Sequence, residues 1–151
     1  MAGPALLRFR RFERADLAVY ASWFADEELT RRIPAPDEDW AAYVTDPDGG
    51  AVAEVAMLGA EAAPCALIQY DIDGDGGISL LMAVEPRLRR QGLGRLALEA
   101  FIARAAERFD RIDGWIGADN EAALALARRC RFRPTGTVDD GHAEFTRRLR
   151  D

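Results

Sequence analysis

The passage from Leu80 to Ala103 constrains this chain most, because three local signals follow one another there without a break. Leu80-Leu81-Met82-Ala83-Val84 is apolar and β-prone, and Glu85-Pro86 closes it, since proline cannot donate to a sheet ladder. A basic turn comes next, Arg87-Leu88-Arg89-Arg90-Gln91-Gly92-Leu93-Gly94-Arg95, and Leu96 to Ala103 then reads as a helix. A strand feeding a helix through a glycine-punctuated turn gathers backbone N–H groups and the positive helix end at one spot. With Arg89, Arg90 and Arg95 around it, the turn reads as a cradle for a phosphate or pyrophosphate.

Two other readings compete. Gly92-Leu93-Gly94-Arg95-Leu96-Ala97 also fits the Gly-x-Gly-x-x-Gly/Ala dinucleotide fingerprint. That fingerprint belongs directly after a first strand, whereas here Glu85 to Gln91 lengthen the connection and three or four strands come before it. The third reading is a plain helix start that binds nothing, which would leave three arginines repelling one another around an empty turn.

The turn resembles the signature of the GNAT superfamily of acyl-CoA-dependent N-acetyltransferases, Arg/Gln-x-x-Gly-x-Gly/Ala. Arg89, Gly92 and Gly94 meet it, with Val84-Glu85-Pro86 upstream. A second segment, Asn120-Glu121-Ala122-Ala123 through Phe132, resembles the family pattern Asn-x-x-Ala/Ser-x-x-x-Tyr-x-x-x-Gly-Phe at Asn120, Ala123 and Phe132. The resemblance implies acetyl-CoA as co-substrate, its pyrophosphate held by Arg89, Arg90, Gln91, Gly92, Leu93, Gly94 and Arg95. It also implies that the pantetheine arm pairs with backbone near Met82 and Val84. Asn120 caps its helix, contacts the pantetheine, or does both.

Two departures bear on catalysis. The tyrosine that acts as general acid in many relatives falls at Ala127, and the usual glycine falls at Arg131. Alanine has no proton to give, and Cys130 is badly placed to substitute, so no catalytic acid is assigned. Arg131 implies a strained or rebuilt helix end. Around Leu67-Ile68-Gln69-Tyr70 and Gly77-Ile78 the chain is also similar to aminoglycoside 6′-N-acetyltransferases, where an aspartate often follows the Gly-Ile step; here that position is Ser79. The general base is therefore open too. Glu85 is one candidate, on the cofactor side, while Tyr70 and Trp23 are candidates for the acceptor pocket, core packing being the alternative for Trp23. No serine or cysteine has a readable base partner, so direct attack by the amine is expected.

The remaining sequence reads as alternating elements. Leu6 to Phe12 has β character with Leu7, Phe9 and Arg11 on one face, and a helix runs from Glu13 to about Phe24. A turn at Pro34-Ala35-Pro36 precedes a short helix from Glu38 to Val44, and Asp46 to Gly50 is a turn cluster. Ala51 to Leu58 alternates like a strand, with Val52 and Val55 as its β-branched members, Cys65 to Tyr70 is a third strand and Ile78 to Val84 a fourth. The helix from about Gly92 to Arg108 carries a stripe of Leu93, Leu96, Ala97, Ala100, Phe101 and Arg104. Ile112 to Gly117, a helix from Asn120 to about Cys130, and a hairpin of Phe132 to Val138 with Ala143 to Leu149 complete the order. That order matches the GNAT layout. It implies an α/β (α+β) fold with a mixed, mostly antiparallel sheet of about seven strands, flanked by helices and splayed between strands 4 and 5.

Composition narrows the function classes. The chain of 151 residues reads as a single GNAT domain, 1–151, with enough apolar sequence for a core. A net charge of −6 argues against nucleic-acid binding and weakly favours a cationic amine. No run is apolar enough for a membrane span, and Met1 to Pro4 is too short for a signal peptide. Cys65 and Cys130 read as free buried thiols in a reducing, cytoplasmic setting. Asp71-Ile72-Asp73-Gly74-Asp75-Gly76 opens like a calcium loop, but the twelfth position is Met82 and the flanks are strands, so a solvated hairpin is expected and no metal; lining an acceptor site is the alternative for these carboxylates. His142 beside Asp139-Asp140-Gly141 reads as surface. The expected activity is acetyl transfer to a primary amine on a small molecule or peptide, with a homodimer left open. The alternative is a catalytically idle acyl-CoA-binding sensor or interaction module.

Overall fold

The computed structural model describes residues 7–150; Met1 to Pro4, Leu6 of the first expected strand, and Asp151 lie outside the described residues. Seven strands form one sheet: β1 (Leu7–Arg11), β2 (Ala51–Leu58), β3 (Pro64–Ile72), β4 (Gly77–Val84), β5 (Arg111–Gly117), β6 (Arg133–Asp139) and β7 (His142–Arg148). Their order is β1-β2-β3-β4-β5-β7-β6, and every neighbouring pair is antiparallel except β4 with β5. The helices are α1 (Leu17–Ser22), α2 (Glu27–Arg32), α3 (Glu38–Thr45), α4 (Leu93–Ala105) and α5 (Glu121–Arg129).

Helices cover both faces of the sheet, which corrects the expected alternation in β2. Residues Ala51 to Met57 are all buried, because Val52 packs on the α4/α5 side while Ala51, Ala53, Val55 and Met57 pack on the α1–α3 side. One core joins Ile68, Tyr70, Ile78, Phe101, Ile112, Ala127 and Phe145. The other joins Val55, Leu67 and Ala83 to Tyr20, Trp23, Leu29 and Val44.

α2 is missing from the expected elements. It has one buried apolar residue, Leu29, and so no stripe to read. Its stability comes from its ends: the Asp26 carboxylate accepts from Leu29 N at 2.9 Å, Glu27 and Glu28 open it, and Arg31 and Arg32 close it. In α4 the buried positions are Leu93, Ala97, Leu98, Phe101, Ile102 and Ala105, so Leu98, Ile102 and Ala105 displace Leu96, Ala100 and Arg104 from the expected stripe. Arg104 still turns to the sheet, where it pairs with the buried Glu54 at 2.8 Å and lies over the Phe9 ring.

Candidate cofactor and acceptor site

The sheet opens beside β4. Its ladder with β5 holds only at Gly77–Arg111, Ile78–Ile112 and Ser79–Asp113. Beyond that point β4 stays paired with β3 as far as Val84, and β5 with β7 as far as Gly117. Glu85 N–H donates to the Cys65 carbonyl at 2.9 Å. Backbone groups alternate sides along a strand, so odd-numbered residues of β4 address β3 while Leu80, Met82 and Val84 address the gap.

The gap leads to the glycine turn. Pro86–Leu88 is a 3₁₀ turn opened by Glu85, whose carboxylate accepts from Arg87 N–H and from Arg87 Nε, each at 3.2 Å. Glu85 is thus committed to shaping the turn. Arg90 (φ 64°) and Gly92 (φ 78°) both take the left-handed conformation, and Gly92 is the N-cap of α4. The first bond of the helix runs from Leu96 N–H to the Gly92 carbonyl at 3.1 Å. Among the described residues, no backbone N–H from Arg90 to Arg95 donates to a protein acceptor. A Cβ on Gly92 would meet nothing within 4 Å. Unbonded donors, a helix start and open space above Gly92 fit a phosphate-bearing group such as the pyrophosphate of acetyl-CoA.

The arginines divide unequally. Arg89 Nη2 pairs with Asp26 at 2.6 Å, which ties the turn to the start of α2 and holds the Asp26 carboxyl below its usual range. Arg95 pairs with Glu99 at 2.9 Å on the helix surface, and Arg87 with Glu85. The repulsion expected from clustered arginines is therefore relieved within the chain, and that ground against an empty turn lapses. Arg90 is exposed and has no acidic partner among the described residues. Gln91 is also exposed; Leu93 is buried in the core; Gly94 sits against Leu126, Met82 and Val84.

On the far side of the gap, the Asn120 side chain accepts from Ala123 N–H at 3.3 Å and caps α5. Ala127 is 5% exposed and belongs to the core, so no proton donor stands at that position. Phe132 N–H reaches the Ala127 carbonyl at 2.8 Å and Arg131 N–H the Arg128 carbonyl at 3.0 Å, the glycine-type helix end with Arg131 at φ 66° in the glycine position. The expected strain at Arg131 is present. Cys130 and Cys65 are free and buried, and burial raises both thiols, so neither is a ready nucleophile.

The α1–α3 face beside the gap is polar. Asp71 on β3, Ser79 on β4, Asp113 on β5 and Thr146 on β7 stand side by side in register, so their side chains share one face. Thr146 Oγ1 donates to Asp113 at 2.6 Å, and Arg111 Nε to the same carboxylate at 2.8 Å. Arg111 also binds Asp75, at 3.0 Å, and Asp73. These contacts make the aspartate-rich turn an ion-paired hairpin, and no cluster suited to a metal occurs among the described residues.

Asp71 accepts from Tyr43 OH at 2.8 Å and Gln69 Nε2 at 3.1 Å, and Gln69 accepts from Trp40 Nε1 at 2.9 Å. Trp115 is exposed on β5 beyond the last β4 pair. Nothing local marks Trp40 or Tyr43 as belonging here, since their partners lie 29 and 28 positions away. Tyr70, a candidate for the acceptor pocket, is core and packs on Phe101 and Phe109, while Trp23 takes the core-packing role, its favoured reading from sequence, against Tyr20. His142 is exposed, as expected.

A splayed parallel pair, a turn of unbonded amides and a helix leading away define an acyl-CoA acetyltransferase fold. Residues 17–132 match the acetyltransferase (GNAT) family, and the chain belongs to it. A mycothiol acetyltransferase of Clavibacter sepedonicus is 36% identical over a stretch covering 46% of this chain and 26% of that protein, so this chain answers to about a quarter of the curated relative. A spermidine N-acetyltransferase from Vibrio cholerae, solved with CoA and spermine, superposes with a TM-score of 0.80 at 14% identity over 95% of both chains. An aminoglycoside 6′-acetyltransferase solved with coenzyme A gives 0.77 at 18% identity, again over 95% of both. At such identities the two structures show the shared fold alone.

Proposed function

We propose that this protein transfers an acetyl group from acetyl-CoA to a primary amine. The observation that carries the reading is the run of unbonded N–H groups from Arg90 to Arg95, opposite the free backbone edge of β4. When bound, acetyl-CoA supplies an activated acyl carbon and a thiolate leaving group. The amides of residues 90–95 hold the pyrophosphate, and Arg90, which has no acidic partner among the described residues, adds its charge there. Met82 and Val84 pair through their backbone with the pantetheine, and a donor at Met82 polarises the acyl carbonyl. The amine attacks directly, in keeping with the buried, raised thiols. The acceptor is a small amine or a peptide amine, and the free thiols suit a cytoplasmic setting.

The buried Ala127 favours a second reading, in which the cofactor binds without turnover. Single-turnover release of CoA thiol from acetyl-CoA, scanned over a panel of amines, separates the two. Release with at least one amine supports the transferase; tight binding with release for none supports the idle module. Acetyl-CoA should raise the melting temperature while NAD(H) leaves it unchanged, and the reverse would restore the dinucleotide reading.

A further inference from the structure

Carboxylates line the α1–α3 face at the closed end of the gap, where β4 and β5 are still paired, and their partners differ in kind. Asp113 is held by Arg111 and Thr146, and Asp73 and Asp75 are held by Arg111. Among the described residues Asp71 has neutral partners only, the Tyr43 hydroxyl and the Gln69 amide, so it is oriented but its charge is not compensated there. The Asp71 carboxylate in turn raises the Tyr43 hydroxyl, which keeps that residue a donor. Gln69 is itself fixed by Trp40, and the carboxylate therefore sits in a prepared geometry at the edge of α3.

Register sets its distance from the reacting end. Asp71 stands opposite Ser79, where the β4–β5 ladder stops, and Met82 lies three residues further along β4, roughly 10 Å at ~3.3 Å per residue. Asp71 is then too far away to touch an amine attacking beside Met82. It is well placed to hold a second positive charge on the same acceptor.

We infer that Asp71, aligned by Tyr43 and Gln69, anchors a second ammonium of the acceptor, so that the preferred substrate is a diamine or a peptide amine carrying a nearby cation. The inference rests on the acetyl-transfer reading and names the acceptor class for that site. The anchored ammonium keeps its protons and takes no part in bond changes. At the other amine one C–N bond forms, the acyl C–S bond breaks, the sulfur leaves with one proton and the second proton passes to solvent.

The test compares diaminobutane with butylamine, which share a carbon chain and differ by one charge. Calorimetry on the protein alone and with CoA should show diaminobutane binding at least about tenfold tighter to wild type than to D71N, the loss expected for one charge-assisted hydrogen bond. Butylamine should show no such difference. In turnover, D71N should raise KM for diaminobutane with kcat little changed, and D71E should restore part of the preference. Y43F keeps the charge and should lose less than D71N. Equal binding of diaminobutane to wild type and D71N, with melting temperatures matched, would overturn the inference, and so would its failure to bind wild type. Failure of the acetyl-transfer reading looks different: no CoA thiol is released for any amine, while the calorimetric difference at Asp71 persists.

Discussion

The two faces of the sheet beside the gap are built by different means. On the α4/α5 face the polar groups are backbone: amides of a short continuous turn and the free edge of one strand. On the α1–α3 face they are side chains drawn from separate elements, Trp40 and Tyr43 from α3, Gln69 and Asp71 from β3, and Asp113 from β5. A backbone cradle tolerates many side chains and demands particular dihedral angles. A side-chain cluster tolerates many backbones and demands particular residues. The first suits a ligand that all members of a family share, the second a ligand that differs among them.

The largest expected effect lies in the cradle. Gly92→Asp should weaken acetyl-CoA binding by more than about a hundredfold, because it adds a side chain at φ 78° and a negative charge beside the unbonded amides. Gly92→Ala separates the two terms: its Cβ meets open space, so strain of ~1–2 kcal/mol is its main cost. Calorimetry with acetyl-CoA measures both, and unchanged affinity in the aspartate variant removes the turn from the cofactor site.

Ala127→Tyr probes the far wall of the gap. The site is in the core, so the larger ring should destabilise by ~1–3 kcal/mol in urea unfolding. Faster thiol release in spite of that cost would mean that room for the family's phenol survives here.

A third test concerns how the α1 layer is held to the sheet. Arg10 binds Asp16 through two hydrogen bonds at 2.7 and 2.8 Å and holds that carboxyl below its usual range. The stability it contributes is present above the unfolded value near ~3.9 and is lost as pH falls through the lower folded value. Asp16→Asn should therefore cost ~1 kcal/mol at neutral pH, after discounting the half-exposed Arg10. Melting curves of the two proteins should converge in strong acid.

The smallest change is expected at Arg131→Gly. Relief of left-handed strain, offset by the greater freedom of glycine in the unfolded chain, should stabilise by ~0.5–1 kcal/mol. A fall in melting temperature would show that the arginine side chain contributes more than its backbone costs.

Much of the fold, including the strand–turn–helix that ends β4 and opens α4, could be read locally. Proline after an apolar run ends a strand, glycine permits φ 78°, and Asn120 three residues before Ala123 caps a helix; each rule acts within a few residues. Where the reading failed, the cause was distant. Tyr70 was expected at the acceptor and lies in the core because α4 covers that face, and α2 escaped notice because its ends, not an apolar stripe, stabilise it.

By itself, then, the chain's sequence determined the strand–turn–helix with its glycines, the succession of the seven strands among the described residues and the family they belong to. Tertiary structure alone decided which charges remain free. Among the described residues Arg89, Arg95 and Asp113 are matched by opposite charges and Arg90 and Asp71 are not, and pairings such as Arg89 with Asp26 span 63 positions. Coulombic pairing depends on distance in space, which the order of residues does not contain until the sheet brings them together.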